Sequence, residues 1–204
     1  MNSGHMSFGI EAPETMALPP PKEHGGMPLY EALRLRRSTR EFDPRPLPAQ
    51  LLSNLLWAAF GINRPKTPGR TAPSAHDWEE IDVYAALDSG LYIYEPDHHR
   101  LRLRLGRDVR AQTGVQPYVA QAPLNLVYVA DLSRMVQATP EDLAQYPGPD
   151  AGFIAQNVYL FCAAEGLATV VRGLVDRPVL AGLMRLGSRQ QIILAQSVGY
   201  PEAR

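Results

Sequence analysis

Arg36, Ser38 and Arg40 stand at alternate positions just past a helical pattern. An extended backbone puts alternate residues on one side, so these donors converge on one point while Arg37 turns to the other side. Guanidinium forks match phosphate oxygens two at a time, which makes the run a candidate anion cradle. The same residues also read as a solvated basic helix end that complements the helix macrodipole.

Other chemistry-bearing patterns are sparse. The chain has no G-x-G-x-x-G after a strand, no G-x-x-x-x-G-K-[ST], no H-E-x-x-H and no G-x-S-x-G, so Rossmann dehydrogenase, P-loop NTPase and common serine hydrolase readings each lose their anchor. His76, His98 and His99 lack partners at metal-ligand spacing and read as surface or loop residues, and no metal is expected. The arginines from Arg100 to Arg110 alternate with Leu101, Leu103 and Leu105, as in an amphipathic strand with its charged face in solvent. A nucleic-acid groove would want interleaved aromatics instead. Gly173, after an apolar strand pattern, either lets a ligand approach the backbone closely or makes a simple turn.

The elements that must position these residues follow from periodicity. A helix opens at Pro28 with Leu29, Ala32 and Leu33 on one face and ends near Arg36. A second spans 48–60 with Leu51, Leu52, Leu55, Leu56 and Ala59 on its apolar face, stopped by Gly61. Residues 63–77 read as a loop, and 81–94 as a hairpin turning at Asp88-Ser89-Gly90. A strand at 124–130 precedes the longest helix, from about Ala151 to Glu165 with Asp150 as its cap. That helix is apolar nearly all round and should be central. A buried strand at 168–172, a short helix begun by Asp176-Arg177-Pro178 and a last strand at 191–198 complete an α+β pattern. Trp57, Trp78 and Tyr92 read as packing residues.

The 204 residues suit one domain, 28–204, preceded by an extended arm over 1–27 that carries Pro13, Pro19, Pro20 and Pro21. Residues 1–6 read as an expression scar. With 45% hydrophobic and 20% charged residues the chain can bury a real core, and a net charge of −1 supplies no broad attraction to nucleic acid or anionic lipid. The single cysteine, Cys162, reads as a packed thiol in a reducing compartment. With no adequate signal-peptide core and no spanning stretch, a cytoplasmic protein is expected, with no membrane partner.

Tyr30-Glu31-Ala32-Leu33 followed by Arg36-Arg37-Ser38-Thr39-Arg40-Glu41-Phe42 and a proline-led helix resembles the N-terminal flavin signature of nitroreductases. Ala72-Pro73-Ser74-Ala75, Gln121-Ala122-Pro123, Ala164 to Thr169 leading into Val171-Arg172-Gly173, and the closing Val198-Gly199-Tyr200-Pro201 match the family in order over roughly residues 28–204. The resemblance implies a central mixed or antiparallel sheet flanked by helices, in an intertwined homodimer. It also implies FMN as cofactor and NADH or NADPH as electron donor. Hydride would pass by a ping-pong cycle from the nicotinamide through flavin N5 to a small-molecule acceptor such as a nitroaromatic or a quinone.

By the same resemblance Arg36 and Ser38 serve the FMN phosphate or ribityl side, Arg40 the O2 edge of the ring, and Arg37 belongs to the same motif. A cation at that edge favours the reduced anion. Pro73, Ser74 and Ala75 reach the flavin from the second subunit, with His76-Asp77 standing where many members carry glycine and asparagine. Val171, Arg172 and Gly173 lie against the flavin, where a backbone N–H near Gly173 donates to N5. Gln116 presents its amide to the pyrimidine, and Arg204 meets the phosphate. The segment from Gly90 to Leu101 looks like that of azoline-oxidising dehydrogenases of peptide maturation, which is one alternative; a flavin-binding protein without turnover is another.

Overall fold

The computed structural model describes residues 13–67 and 69–202. Its strands are β1 (Thr15–Ala17), β2 (Phe42–Asp43), β3 (Ile81–Leu87), β4 (Gly90–Glu95), β5 (Arg100–Leu105), β6 (Leu124–Asp131), β7 (Ala168–Arg172) and β8 (Gln190–Pro201). They form one eight-stranded sheet in the order β1-β5-β4-β3-β6-β8-β2, with β7 also paired to β8. Every pairing is antiparallel, so the sheet is antiparallel rather than mixed.

The helices are α1 (Leu29–Leu35), α2 (Ala49–Phe60), α3 (Pro140–Gln145), α4 (Pro147–Ala164) and α5 (Arg177–Met184). Period-two alternation divides each central strand between two covers. Ile81, Val83 and Ala85 of β3 and Leu124, Leu126 and Tyr128 of β6 join α2 and α4 in the larger core. Tyr84, Ala86, Val127 and Val129 point the other way, to Leu180 and Met184 of α5. Both faces being covered, β6 is apolar from Leu126 to Ala130, with the polar Asn125 buried near its start.

α4 lies where the sequence places it, against α1, α2, β7 and β8, and its Cys162 is fully buried. Its start differs: Pro147 and Pro149 fill the first turn, where a missing N–H costs nothing, so Asp150 is a buried first-turn residue and not the cap. Asp176 does cap α5, accepting the Val179 N–H. α3 is an element that periodicity does not announce, begun by a reciprocal Thr139/Asp142 capping box.

α1 buries only Ala32, leaving Leu29 61% and Leu33 46% exposed. The expected apolar face is therefore largely uncovered in the single chain. Of the arm, residues 1–12 lie outside the described residues. The rest is laid down by backbone pairing: β1 adds to the edge of β5, and the Pro19 and Pro20 carbonyls accept from Ser53 and Gln50 of α2. The segment with azoline-dehydrogenase likeness forms β4 and the start of β5. There Glu95 is bracketed by Arg100 at 2.6 Å and by Arg102, so the charged face of β5 is partly neutralised across the ladder. Among the described residues no helix is long and apolar enough to cross a membrane.

Candidate functional site

α1 stops at Arg36, whose ψ of 123° turns the chain extended. The segment that follows is laid along the edge of β7 by a 2.9 Å hydrogen bond from the Thr39 N–H to the Thr169 carbonyl. Pairing of Phe42 and Asp43 with Pro201 and Tyr200 fixes its far end. The next outward backbone group of β7, the Val171 N–H, donates to the Tyr159 hydroxyl on α4 at 3.0 Å. That hydroxyl lies 2.7 Å from Ser38 Oγ, and the Arg36 guanidinium sits 5.3 Å over the same tyrosine ring. Among the described residues Arg36, Arg37 and Arg40 form no ion pair and no side-chain hydrogen bond to protein. A groove of about 400 Å³ is lined by Arg36, Arg37, Thr39, Tyr159, Thr169 and Pro201, so Arg37 shares it with Arg36 against the alternation expected, and Ser38 and Arg40 are not in its lining.

The other half of the expected site is built at the opposite end of α4. The Ala75 N–H donates to the Asp150 carboxylate at 2.9 Å, and Ser74 Oγ accepts from the Glu79 N–H at 2.9 Å while lying 3.2 Å from Glu80 Oε2. His76, Asp77 and Glu79 hold φ of 52°, 52° and 48°, a left-handed conformation uncommon for residues with a Cβ. His76, Trp78 and Tyr146 pack together beside this turn at centroid distances of 4.5 to 5.9 Å. Glu80 is fully buried, and burial, reinforced by the negative charge of Asp150, holds its carboxyl above the usual carboxylate range. From Asp150 to Tyr159 is nine residues, or about 14 Å of helix rise, so the Pro73-Ser74-Ala75 loop does not meet Ser38 within one chain.

The sequence profile of the nitroreductase family matches residues 33–200. The chain belongs to the nitroreductase family. A protein of Methanocaldococcus jannaschii assigned as a nitroreductase is 30% identical over 155 residues, covering 71% of this chain and 78% of that one. A crystal structure of a Ralstonia eutropha JMP134 protein, also assigned as a nitroreductase, superposes with a TM-score of 0.91 at 45% identity, over 97% of this chain and 94% of that one. The NADPH:FMN oxidoreductase of Vibrio harveyi, complexed with NAD+, shares the fold at a TM-score of 0.64 and 22% identity, over 86% of this chain and 69% of its own.

Within this family member the structure brings together Arg36, Ser38 and Val171, and keeps Arg37 and Arg40 exposed on the same segment. The donor set suits a bound phosphate: guanidinium groups and a hydroxyl, with no carboxylate paired to them among the described residues. Arg172 behaves differently. Its side chain is 4% exposed and turns inward, donating to the Thr113 carbonyl at 2.6 Å, Thr113 Oγ1 at 3.3 Å and Asn125 Oδ1 at 2.9 Å. Burial lowers its pKa to about 10, and no acid pairs with it among the described residues.

Gln116 lies in the same neighbourhood, its Oε1 buried without a partner. A Cβ on Gly114 would meet both Gln116 Oε1 and Arg172 Nη1. Gly173 is exposed, and nothing stands within 4 Å of where its Cβ would be, so its backbone is open to approach. Arg204 lies outside the described residues. Sequence reasoning missed Tyr159 and Asp150 as organisers of the two halves. The available signals were a hydroxyl-tipped aromatic and an acid among the apolar positions of α4, each of which needs a partner when buried.

Proposed function

We propose that this nitroreductase-family chain is an FMN-dependent oxidoreductase that takes hydride from NADH or NADPH and delivers it to a small oxidised acceptor such as a nitroaromatic or a quinone. Bound FMN supplies the two-electron carrier, through N5 of its ring. Arg36 and Ser38 hold the phosphate or ribityl end, with Arg37 adding positive potential and Arg204 as a further phosphate contact. Arg40 sets a permanent cation at the O2 edge of the ring, where negative charge is favoured. Gln116 offers its amide to the pyrimidine. Val171 and Arg172 contribute backbone to the wall. Alternation along the β7 edge, where Thr169 and Val171 already face outward, makes Gly173 the next residue whose N–H can face the ring.

A homodimer completes this reading. Pro73, Ser74 and Ala75 are held about 14 Å along α4 from the Ser38 end, so a second subunit is the source of that loop at each flavin. The exposed Leu29, Tyr30 and Leu33 of α1 and Phe153 of α4 are apolar surface that such a subunit would cover. No protein acid or base is needed, because protons can come from water.

The observation that carries the proposal is the segment along the edge of β7 that holds Arg36 and Ser38 on Tyr159 and carries Arg36, Arg37 and Arg40 without an ion pair among the described residues. The test is the absorbance of the purified protein, identification of any released flavin, and consumption of NADH or NADPH with a quinone. About one FMN per chain and steady turnover are expected. Recovery of FAD alone, or failure to bind FMN on titration, overturns the reading. Bound FMN without turnover of either nicotinamide would make the chain a flavin-binding protein.

A further inference from the structure

We infer that Tyr159 is a positioning residue that fixes the Ser38 hydroxyl as a donor to the cofactor phosphate and ties that contact to the β7 strand. The inference rests on reading Arg36 and Ser38 as the phosphate cradle. Its basis is a chain of hydrogen bonds between residues far apart in sequence: Val171 N–H to Tyr159 Oη at 3.0 Å, and Tyr159 Oη to Ser38 Oγ at 2.7 Å.

Proton counting gives the chain a direction. An amide N–H can only donate, so Tyr159 Oη accepts from Val171, and the phenol has a single proton of its own to give. A phosphate oxygen facing Ser38 accepts only. Ser38 must then spend its proton on the phosphate and use its lone pair to accept from Tyr159. Each donor in the series Val171 N–H, Tyr159 O–H, Ser38 O–H polarises the next, and the series ends on the anion. The Tyr159 ring is nearly buried on α4, between the helix and β7, and carries the Arg36 guanidinium 5.3 Å over its face, so the two phosphate donors share one support. The Thr39 N–H is already given to the Thr169 carbonyl and does not compete for Ser38. The Val171 end of the same series adjoins Gly173, so the strand proposed to face the ring is referenced to the phosphate through one hydroxyl.

The experiment compares FMN with riboflavin, which lacks the phosphate, binding to the flavin-stripped full chain by fluorescence quenching. Tyr159→Phe keeps the ring beneath Arg36 and removes only the hydroxyl. It is expected to weaken FMN about three- to tenfold, the worth of one hydrogen bond, while riboflavin changes less than about twofold. Ser38→Ala is expected to do the same, and the double variant to be little worse than either single one, because both break one series. Equal losses for FMN and riboflavin, or strictly multiplicative losses in the double variant, would reduce Tyr159 to a packing residue and overturn the inference.

The two readings fail separately. If Ser38→Ala and Arg36→Ala leave FMN affinity untouched, the cradle falls and the inference with it. If Ser38→Ala discriminates between the flavins and Tyr159→Phe does not, only the inference falls. Should Tyr159→Phe not fold, amide exchange at Val171 in the unaltered protein decides: slower exchange with FMN than with riboflavin is expected, and equal exchange overturns the inference.

Discussion

Replacing Arg172 with Met tests whether this arginine is an internal support or a cofactor ligand, and the structure allows the balance to be worked. Burial lowers the guanidinium pKa to about 10, so holding the charge inside costs about 3 kcal/mol at 1.36 kcal/mol per unit. Two short hydrogen bonds, to the Thr113 carbonyl at 2.6 Å and Asn125 Oδ1 at 2.9 Å, return roughly 1.5–3 kcal/mol each; the 3.3 Å contact adds little. Methionine fills similar space and removes both sides of that balance, but leaves the buried Thr113 carbonyl without this donor, at about 1–3 kcal/mol. Asn125 Oδ1 keeps its 2.6 Å bond from Ser197.

The expected outcome is a loss of about 1–6 kcal/mol at pH 7, or at least roughly 2 °C in melting temperature for a domain of this size. Melts of the flavin-free chain, paired with FMN titration, check this. An unchanged melting temperature together with lost FMN affinity would refute the support role and return Arg172 to the cofactor.

Arg40→Ala should weaken FMN by roughly 1.5–3 kcal/mol and lower the flavin potential, since a cation at the ring edge favours the reduced anion; unchanged affinity and potential would make Arg40 an ordinary solvated charge. Glu80→Gln should stabilise the fold at pH 7–8, read as a higher melting temperature. The raised Glu80 pKa means that its contribution is full below the unfolded carboxylate value and is lost as pH rises through the folded one, so the advantage should vanish near pH 4. A constant advantage across pH would assign the effect to packing instead. Tyr30→Glu places a charge at an 88% exposed side chain of α1 and should weaken the proposed homodimer, releasing FMN on dilution. Sedimentation showing an unaltered dimer that stays yellow would remove α1 from the interface.

What the sequence determines by itself is local. Pro28, Gly61 and Asp176 mark helix ends because a missing N–H, the absence of a Cβ that would meet Trp57, and a side-chain acceptor act within about one turn. The alternation of β3 and β4 around Ser89-Gly90, and the apolar run of β6, are legible because a strand repeats every two residues. The same alternation marks Arg36, Ser38 and Arg40 as candidates, and the ordered motifs around them were enough to name the family. The tertiary structure decides what depends on residues distant in sequence. Ser38 and Tyr159 are 121 positions apart, and no spacing rule links them. Arg172 turns inward because Asn125, on β6, and Thr113 offer acceptors there. Asp150 became a tether instead of a cap when two prolines let α4 begin a turn early and brought the Ala75 N–H within reach. Leu29 and Leu33 carry a core-facing pattern yet remain exposed, because a helix's periodicity records that a face will be covered and not which surface covers it.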